Sequence, residues 1–374
     1  SLSTNAVQIK RLAYQDIWPG AISGRVDYLR DSFSFVPNFF GIIQRQKDRS
    51  AFAFTISTLD NEAYDQRNRI DLAVDVTLVD GVTTAATTEI INTNFNYTNT
   101  MQEVGFATAG LLGKDISIGG GLFLDYQDQR RIQQDNLRLK DFDYFQTLSL
   151  YHRKQVISLR PSLGTQVALT DKLTFGYAAT IAVPLFGVYT SQSTSYYSKD
   201  ARLNASYVFA DALALQDSVT TTDNILSSGL FQSTFLKNSL GLAYFASRSL
   251  LFSLDACAYL PIESSVNPES RVFSWNAAGG VELYVTPYFP LRLGLFTNNA
   301  NTPQIAASAS NQKDHLDMYG ASLSFGYSTA DFSISVGTVG SLGWGKAQIL
   351  ANDASIQNLT GENLQVFISG GYQY

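Results

Sequence analysis

Charged and metal-binding side chains are scarce in this sequence of 374 residues. Only 16% of the residues are charged, against about 25% in a typical soluble protein. The single cysteine, Cys257, excludes an internal disulfide framework and a cysteine metal cluster. The two histidines, His152 and His315, lie far apart in the chain, so we predict no metal site and no cofactor. The net charge of −6 argues against a nucleic-acid partner, which requires clusters of basic residues.

Long apolar runs are missing as well. A membrane-spanning helix needs about 20 mostly apolar residues. The most apolar window, residues 173–189, is shorter than that, contains Pro184 and alternates between large and small side chains. The sequence therefore excludes a helical membrane span.

The apolar residues are instead interleaved with polar ones in a period of two. Hydrophobic residues make up 45% of the chain and aromatic residues 13%, with 27 glycines, a composition that suits strands and tight turns. In the stretch 173–183, Leu173, Phe175 and Tyr177 begin one face, and Thr, Gly and Ala lie between them. A strand separates these two sets of side chains, whereas a helix mixes them. The pattern therefore predicts β-strands along most of the chain.

The connections between the predicted strands alternate in length. Links after even-numbered strands are short, and most of those after odd-numbered strands are long. Short turns at one rim and long loops at the other are typical of outer-membrane β-barrels. The fourteen predicted strands are 21–29, 34–43, 50–58, 102–112, 115–127, 156–169, 173–186, 236–246, 250–260, 272–285, 289–297, 318–328, 331–340 and 362–374.

The second face of these strands carries too little charge for a surface in open water. It is rich in Gly, Ser, Thr and Ala, which suits a wet lumen partly filled by side chains. We therefore predict an all-β fold in the bacterial outer membrane: a transmembrane antiparallel β-barrel of about 14 strands, with short periplasmic turns and long extracellular loops. Tyr372 and Tyr374 would lie in an aromatic girdle at the membrane rim. The alternative is a soluble β-sandwich that ends on an amphipathic strand, which leaves the asymmetry of the loops unexplained.

Four stretches resemble the FadL family, the outer-membrane transporters of long-chain fatty acids and other hydrophobic molecules. They are SFVPNFFG in the second predicted strand, PYFPLRLGLFTNNANTP, HLDMYGASLSFGY and the terminal ISGGYQY. The resemblance implies that residues 21–374 form a barrel that binds and passes hydrophobic molecules without a covalent step.

Two departures from that family's pattern bear on how such a barrel would work. Family members carry an N-terminal plug inside the barrel, whereas only residues 1–20 precede the first predicted strand. We assign residues 1–20 to a short N-terminal segment, a reduced or trimmed plug, and expect any blockage of the lumen to arise in another way. The family's lateral exit depends on a kink in the third strand, and AFAFTISTLDN contains no Gly or Pro to mark one.

Six lumen-facing residues are candidates for lining a hydrophobic ligand. Three phenylalanines would contact an apolar ligand or merely fill space: Phe123, Phe296 and Phe367. Three cations would pair with a ligand carboxylate or with lumen acids: Arg160, Lys237 and Arg292. The acids on that face are Asp125, Asp255 and Glu282.

Two of the predicted loops carry further hypotheses. The stretch 130–154 is the most charged in the chain, with Arg130 and Arg131 at its start. It is either a solvated loop or a site for lipopolysaccharide phosphate or for a ligand carboxylate. Residues 206–219, SYVFADALALQDSV, have the pattern of a short amphipathic helix that captures a ligand or caps the barrel mouth.

Together these observations predict a barrel for the passive uptake of small, fatty-acid-like hydrophobic molecules. Its partners would be membrane lipid, lipopolysaccharide and a hydrophobic small molecule. No nucleophile–base pair, phosphate-binding loop or metal-ligand spacing stands out, so we do not predict an enzyme. Two alternatives stay open: a general porin with an open, charge-lined pore, and a non-transporting barrel that anchors or displays partner proteins in an outer-membrane complex.

Overall fold

The computed structural model is built from β-strands. It describes residues 2–17, 26–46, 50–70, 73–198, 200–202, 216–224, 235–262, 270–309, 312–349 and 355–372. No helix among these residues has the length and hydropathy of a membrane span. The strands are β1 (Leu2–Gln15), β2 (Tyr28–Gln46), β3 (Ser50–Ile70), β4 (Ala73–Thr77), β5 (Thr83–Leu111), β6 (Ile116–Leu139), β7 (Phe145–Ala168), β8 (Leu173–Ser198), β9 (Gln216–Asn224), β10 (Phe235–Ser247), β11 (Leu250–Tyr259), β12 (Ser274–Thr286), β13 (Phe289–Asn298), β14 (His315–Ser328), β15 (Phe332–Ala347) and β16 (Gln357–Tyr372).

Fourteen of these strands close into one antiparallel ring. The strands β10 to β16 pair in chain order, and β16 pairs with β1. The ring continues through β1, β2, β3, β5, β6, β7 and β8, and β8 pairs with β10 to complete it. The other two strands lie beside the ring, β4 on β5 and β9 on β8. The prediction of an antiparallel barrel of about 14 strands is confirmed.

The first strand of the ring is not the one that we predicted. We placed it at 21–29 and assigned residues 1–20 to a segment before the barrel, whereas β1 begins at Leu2. This strand pairs with β16 from Leu2 opposite Gly371 to Gln15 opposite Asn358, and with β2 on its other side. Its apolar residues are divided between the two faces, with Leu12 and Tyr14 in the lumen, and its outer face carries Arg11 and no aromatic residue, so the segment lacked the pattern that marked the other strands. Residues 18–25 lie outside the described residues.

Two stretches that we predicted as long loops are strands. Strand β3 runs to Ile70 and β5 begins at Thr83, so most of the predicted loop 59–101 is a hairpin. The charged stretch 130–154 belongs to the hairpin of β6 and β7, with its turn at 140–144. Strand β6 has 24 residues, more than twice the roughly 9–11 needed to cross a membrane. Strands β3 and β5 to β8 therefore extend beyond the membrane, where they prolong one side of the barrel.

The predicted helix at 206–219 falls mostly on residues that the structure does not describe. Residues 203–215 lie outside the described ranges, and residues 216–219 belong to strand β9. The end of that stretch is thus extended, and the amphipathic helix stays a prediction for the remainder.

An apolar belt surrounds the part of the barrel that adjoins the short turns. On β6, Leu122 and Leu124 are exposed on the outer face, and Phe123 between them is turned into the lumen. The same alternation recurs around the ring, as the outer faces of lipid-embedded barrels require. Exposed members of the belt include Phe33, Phe35, Val104, Phe106, Leu240, Leu242, Leu254, Leu293, Leu295, Phe325, Val336, Leu364, Val366 and Ile368.

Aromatic side chains mark the rim of the belt at the short turns. Tyr327 contacts both Tyr288 and Phe289 there. Tyr372, which we predicted in the membrane girdle, is exposed and pairs with Phe332 at the same rim. Tyr374, the other predicted girdle residue, lies outside the described residues.

Each of the three candidate phenylalanines lies over a glycine of the neighbouring strand. A Cβ added to Gly320 would come within 2.2 Å of the Phe296 ring, so only glycine leaves room for it. Aromatic rings that cover glycine backbone in this way stabilise a sheet and pin its register. The three cross-strand pairs are Phe123 with Gly105, Phe296 with Gly320, and Phe367 with Gly337.

The barrel wall parts between β2 and β3. These strands pair only from Phe39 opposite Ser57 down to the turn that joins them, although both continue upward. Leu59 is the extra residue of a β-bulge, since Thr58 and Asp60 face adjacent residues of β5. A bulge bends its strand, and above this one β3 pairs with β5 alone among the described strands. This bend was not visible in the sequence, because a β-bulge requires neither Gly nor Pro.

The ring–glycine packing makes a stability prediction. Replacing Gly320 with Ala should lower the free energy of unfolding by about 1–3 kcal/mol, because the Phe296 ring must leave its place. Gly340→Ala, on the adjacent strand, is the matched control, since a Cβ there meets nothing within 4 Å. The measurement is the temperature at which the folded band converts to the unfolded band on gels of unboiled samples. Equal transition temperatures for the two variants would refute the role of the packing.

Candidate functional site

A chamber of about 880 Å³ lies in the lumen, toward the end away from the short turns. Its lining comes from β1, β2, β3 and β5 to β8 on one side and from β11 to β14 and β16 on the other, and the connections that precede β14 and β16 complete it. Six cationic side chains and two carboxylates line it. The cations are Lys10, Arg30, Arg131, Lys154, Arg271 and Lys313, and the carboxylates are Glu62 and Asp314.

Aromatic rings form much of the same lining. Phe95 stacks with Tyr97 at 6.3 Å between ring centroids, and Tyr97 lies 6.0 Å from Tyr64. Leu12, Tyr14 and Leu359 join them in a buried apolar cluster on the chamber wall. The chamber thus offers apolar ring surface and positive charge together, which suits a molecule with an apolar body and an anionic head group.

Like Lys154, Arg30 is a buried cation of the chamber, with 5% of its surface exposed. Its Nη1 donates a hydrogen bond to the Tyr14 hydroxyl at 2.8 Å, and its guanidinium lies 3.4 Å from the Phe95 ring centroid. Arg131 lies near the same ring, at 5.5 Å. Two guanidinium groups therefore share one aromatic ring, an arrangement that cation–π attraction stabilises.

The charged stretch that we predicted as a loop divides between the two faces of β6. Arg131 points into the chamber, where Nη2 donates to Gln133 at 2.7 Å. Its neighbour Arg130 is exposed and lies opposite Arg153, whose guanidinium pairs with Asp128 at 2.9 Å. Alternation along the strand thus separates a cation of the chamber from cations of the outer wall.

Two connections fold into the mouth of the chamber. From the link between β13 and β14, Asp314 accepts a hydrogen bond from the Tyr14 hydroxyl at 2.8 Å. From the link between β15 and β16, Gln348 donates to the carbonyl of Ala309 at 2.7 Å. The carbonyl of Ile349 accepts from Gln133 of β6, on the far side of the ring, at 2.5 Å. Residues of these connections therefore occupy the mouth of the chamber.

A second ion pair lies beside the parting of the wall. Lys10 of β1 and Glu62 of β3 are joined by a salt bridge that passes inside β2. Asp60 and Asn99 are hydrogen-bonded next to it. The salt bridge thus links β3 to β1 at a level where β3 no longer pairs with β2.

The two histidines make local contacts. His152 lies on the extended part of β7, where burial and the nearby Arg131 lower its pKa to about 4, so its imidazole is neutral at neutral pH. Its Nδ1 is hydrogen-bonded to the Tyr189 hydroxyl at 2.8 Å. His315 donates from Nδ1 to the carbonyl of Thr302 at 2.7 Å. Neither geometry is that of a serine nucleophile with its base.

The predicted site residues lie lower in the lumen, apart from the chamber lining. Phe123 lines a cavity of about 670 Å³ among small side chains, and Phe296 and Phe367 line one of about 330 Å³. Arg160 pairs with Asp125 at 3.1 Å and with Glu103, which also accepts from Ser57. Arg292 pairs with Glu282 at 2.6 Å. Nζ of Lys237 lies 5.5 Å from the Tyr259 ring, and Asp255 faces Gly241 in the strand register.

Arg30, Tyr14 and Asp314 were missed. Tyr14 and Arg30 lie in or next to segments that we did not predict to be strands. The alternation of inward and outward side chains was therefore not applied to them. Asp314 lies in a connection, where alternation gives no direction. Once Leu2–Gln15 is recognised as a strand, the same alternation places Leu12 and Tyr14 on the lumen face, which is the one signal available in the sequence.

Solved structures of other proteins share the architecture of this chain. No family model and no curated protein matches the sequence. A FadL homologue of Pseudomonas aeruginosa superimposes with a TM-score of 0.58 at 12% identity, over 99% of this chain and 90% of its own. The P. putida toluene transporter TodX superimposes at 0.50 with 10% identity, over 100% of this chain and 90% of its own.

The monoaromatic hydrocarbon channel CymD gives a TM-score of 0.50 at 10% identity, over 100% of this chain and 88% of its own. At such low identity these likenesses establish the fold. The chain has the fold of the FadL-type barrels, as the four resembling stretches implied.

The ion pairs of the lower lumen make a testable contrast. Arg160→Gln should lower the free energy of unfolding by about 3 kcal/mol or more, because it leaves the buried carboxylates of Glu103 and Asp125 uncompensated. Arg292→Gln should cost about 1 kcal/mol or less, since that guanidinium is 41% exposed and its pair is screened by water. Urea titration of both variants in detergent measures the difference. A larger loss for Arg292→Gln would contradict the assignment of Arg160 as a structural cation.

Proposed function

We propose that this protein is an outer-membrane barrel for the passive passage of small amphiphiles with an apolar body and an anionic head group, such as fatty acids. The observation that carries the proposal is the lumen chamber, with its aromatic lining and its excess of cations. Three solved structures of the same fold are described as a FadL homologue, a toluene transporter and a monoaromatic hydrocarbon channel. Their descriptions support an apolar cargo, and the cations of this chamber support an acidic head group.

The energetics favour binding without chemistry. Apolar surface removed from water contributes about 25 cal/mol per Å², so an alkyl chain against Phe95 and Tyr97 gains several kcal/mol. A carboxylate beside buried guanidinium groups forms charge-assisted hydrogen bonds, which are about twice as strong as neutral ones. Binding and release of the ligand then require neither a nucleophile nor a cofactor.

The ligand leaves the chamber, in this proposal, through the parting between β2 and β3. Exposed Phe33, Phe35 and Leu59 flank the parting on its outer side, so an apolar body moves from the chamber to lipid without crossing water. The axial route passes the ion pairs of Arg160 and Arg292, which an apolar body avoids. Phe123, Phe296 and Phe367 line that axial route and supply the ligand contacts if it is used.

Two other functions are less well supported. A general porin requires an open pore, whereas residues 312–314 and 348–349 lie in the mouth of this lumen. A barrel that only anchors or displays a partner protein has no need of a chamber lined by aromatic rings and cations. Low ionic conductance in a planar bilayer, together with binding of an amphiphile, separates the proposed function from both.

Binding is tested by the variant Tyr97→Ser. Removing the ring from the chamber lining should weaken binding of decanoate about tenfold, which corresponds to a lost contact of about 1–2 kcal/mol. Tyr177→Ser, the same change on the exposed outer face, is the control and should bind like the parent protein. Titration of decanoate into protein in lipid nanodiscs gives both affinities, and gels of unboiled samples verify folding. Equal weakening in the two variants would argue against a ligand site in the chamber.

The exit route is tested by deleting Leu59. Without its extra residue, β3 regains a continuous register, and its upper part is brought back alongside β2. Release of decanoate into liposome membranes should slow strongly when it is compared at equal amounts of bound decanoate, a comparison that is needed because Glu62 and Tyr64 on the same strand line the chamber. Phe123→Ser should leave release unaffected. If Phe123→Ser slows release and the deletion does not, the ligand takes the axial route.

A further inference from the structure

We propose that Asp314 is a tethered carboxylate that occupies the anion subsite of the chamber, and that an anionic ligand displaces it on binding. The inference rests on the proposed function, because it assumes a ligand with an anionic head group. The subsite consists of Arg30 and the Tyr14 hydroxyl. Its present occupant comes from the connection between β13 and β14, immediately before β14 begins at His315.

The contacts form a chain from the strand wall to the connection. Nη1 of Arg30 donates to the Tyr14 hydroxyl at 2.8 Å, and that hydroxyl donates to Oδ2 of Asp314 at 2.8 Å. Tyr14 is fully buried and Arg30 nearly so. The carboxylate of Asp314 thus sits where a ligand head group would be held, and it reaches the guanidinium through a hydroxyl.

Arg30 retains unused capacity for an anion. Its Nε and Nη2 are buried and make no hydrogen bond of good geometry among the described residues, although the Tyr28 side chain lies beside the guanidinium. An unpaired buried donor costs about 1–3 kcal/mol, and more when the group is charged. A ligand carboxylate that enters the chamber and binds these donors directly removes that cost, which Asp314 at its present distance does not. A free carboxylate is therefore favoured over the tethered one once it is inside.

Displacement of Asp314 is coupled to the mouth of the barrel. Within the same connection, the backbone N–H of Gln312 donates to Oε1 of Gln348 at 3.2 Å. Gln348 and Ile349 in turn hold the second connection to Ala309 and to Gln133 across the lumen. Movement of Asp314 away from Tyr14 therefore pulls on the contacts that close the mouth. The expected result is a closed chamber in the absence of an anion and an opened one in its presence.

A tethered competitor has a thermodynamic signature. When the competent state is only partly populated, the apparent affinity of a ligand falls by that fraction. Only a ligand that needs the subsite is affected, so a carboxylate and the corresponding alcohol should respond differently. Removing the charge of Asp314 should raise the affinity for the carboxylate and leave that for the alcohol unchanged.

The experiment compares decanoate and decanol binding to the full chain in lipid nanodiscs. Asp314→Asn should raise the affinity for decanoate about tenfold and leave the affinity for decanol within a factor of two. Asp317→Asn is the matched control, because Asp317 accepts a hydrogen bond from the backbone of Ala300 in the same connection at 2.7 Å and does not touch the subsite. It should leave the ratio of the two affinities unchanged.

A second variant removes the subsite itself. Arg30→Gln combined with Asp314→Asn should abolish the gain in decanoate affinity; if that double variant does not fold, Tyr14→Phe with Asp314→Asn should reduce the gain. No change for decanoate in Asp314→Asn, or an equal rise for decanol, would overturn the tethered carboxylate and leave the proposed function standing. If neither probe binds the parent protein or any variant, the proposed function fails and the tethered carboxylate fails with it.

Discussion

Backbone hydrogen bonding inside a membrane is the constraint on which this structure depends. Lipid offers no partner to an unpaired N–H or C=O group, so a sheet that crosses it must close. The pairing of β1 with β16 and of β8 with β10 supplies that closure. The interruption between β2 and β3 adjoins the chamber, and irregular backbone is tolerated at membrane depth where it lines a cavity. The need for closure thus explains the pairing around the ring, and the adjoining chamber explains why an interruption is tolerated beside it.

The distribution of charged side chains in the lumen also follows from the closure of the barrel. Cations in the lower lumen are matched by nearby acids, as Arg160 is by Asp125 and Arg292 is by Glu282. The chamber is different, because its six cations face two carboxylates. On the proposed function, the cations of the chamber hold an anionic head group and its aromatic rings hold the apolar body, whereas the ion pairs of the lower lumen support the wall.

The sequence predicted the membrane part of the fold and not the part above it. Strands such as β6 were found because Leu122 and Leu124 face lipid while Gly121 and Phe123 face the lumen. Above the belt the outer face no longer meets lipid, so the polarity of the alternation is inverted: Asn94 and Asn96 lie on the outer face of β5, and Phe95 and Tyr97 between and beside them line the chamber. Those segments looked like loops, and β1 was missed for a similar reason. Pairing of Arg160 and Arg292 with lumen acids was one of the two alternatives that the sequence offered. The chamber could not be predicted, because its lining depends on which strands lie opposite one another in the ring.

Two connections close the mouth of the chamber, and the energy needed to open it depends on the contacts that hold them. The contacts that hold the mouth are a few hydrogen bonds, those of Asp314, Gln348 and Ile349, and each contributes roughly 0.5–1.5 kcal/mol net. Under the proposed displacement, a ligand carboxylate takes the place of Asp314, so the charge at the subsite is the same before and after. Opening then has to overcome only the hydrogen bonds of Gln348 and Ile349, and the additional contacts of the ligand with Arg30 offset that cost.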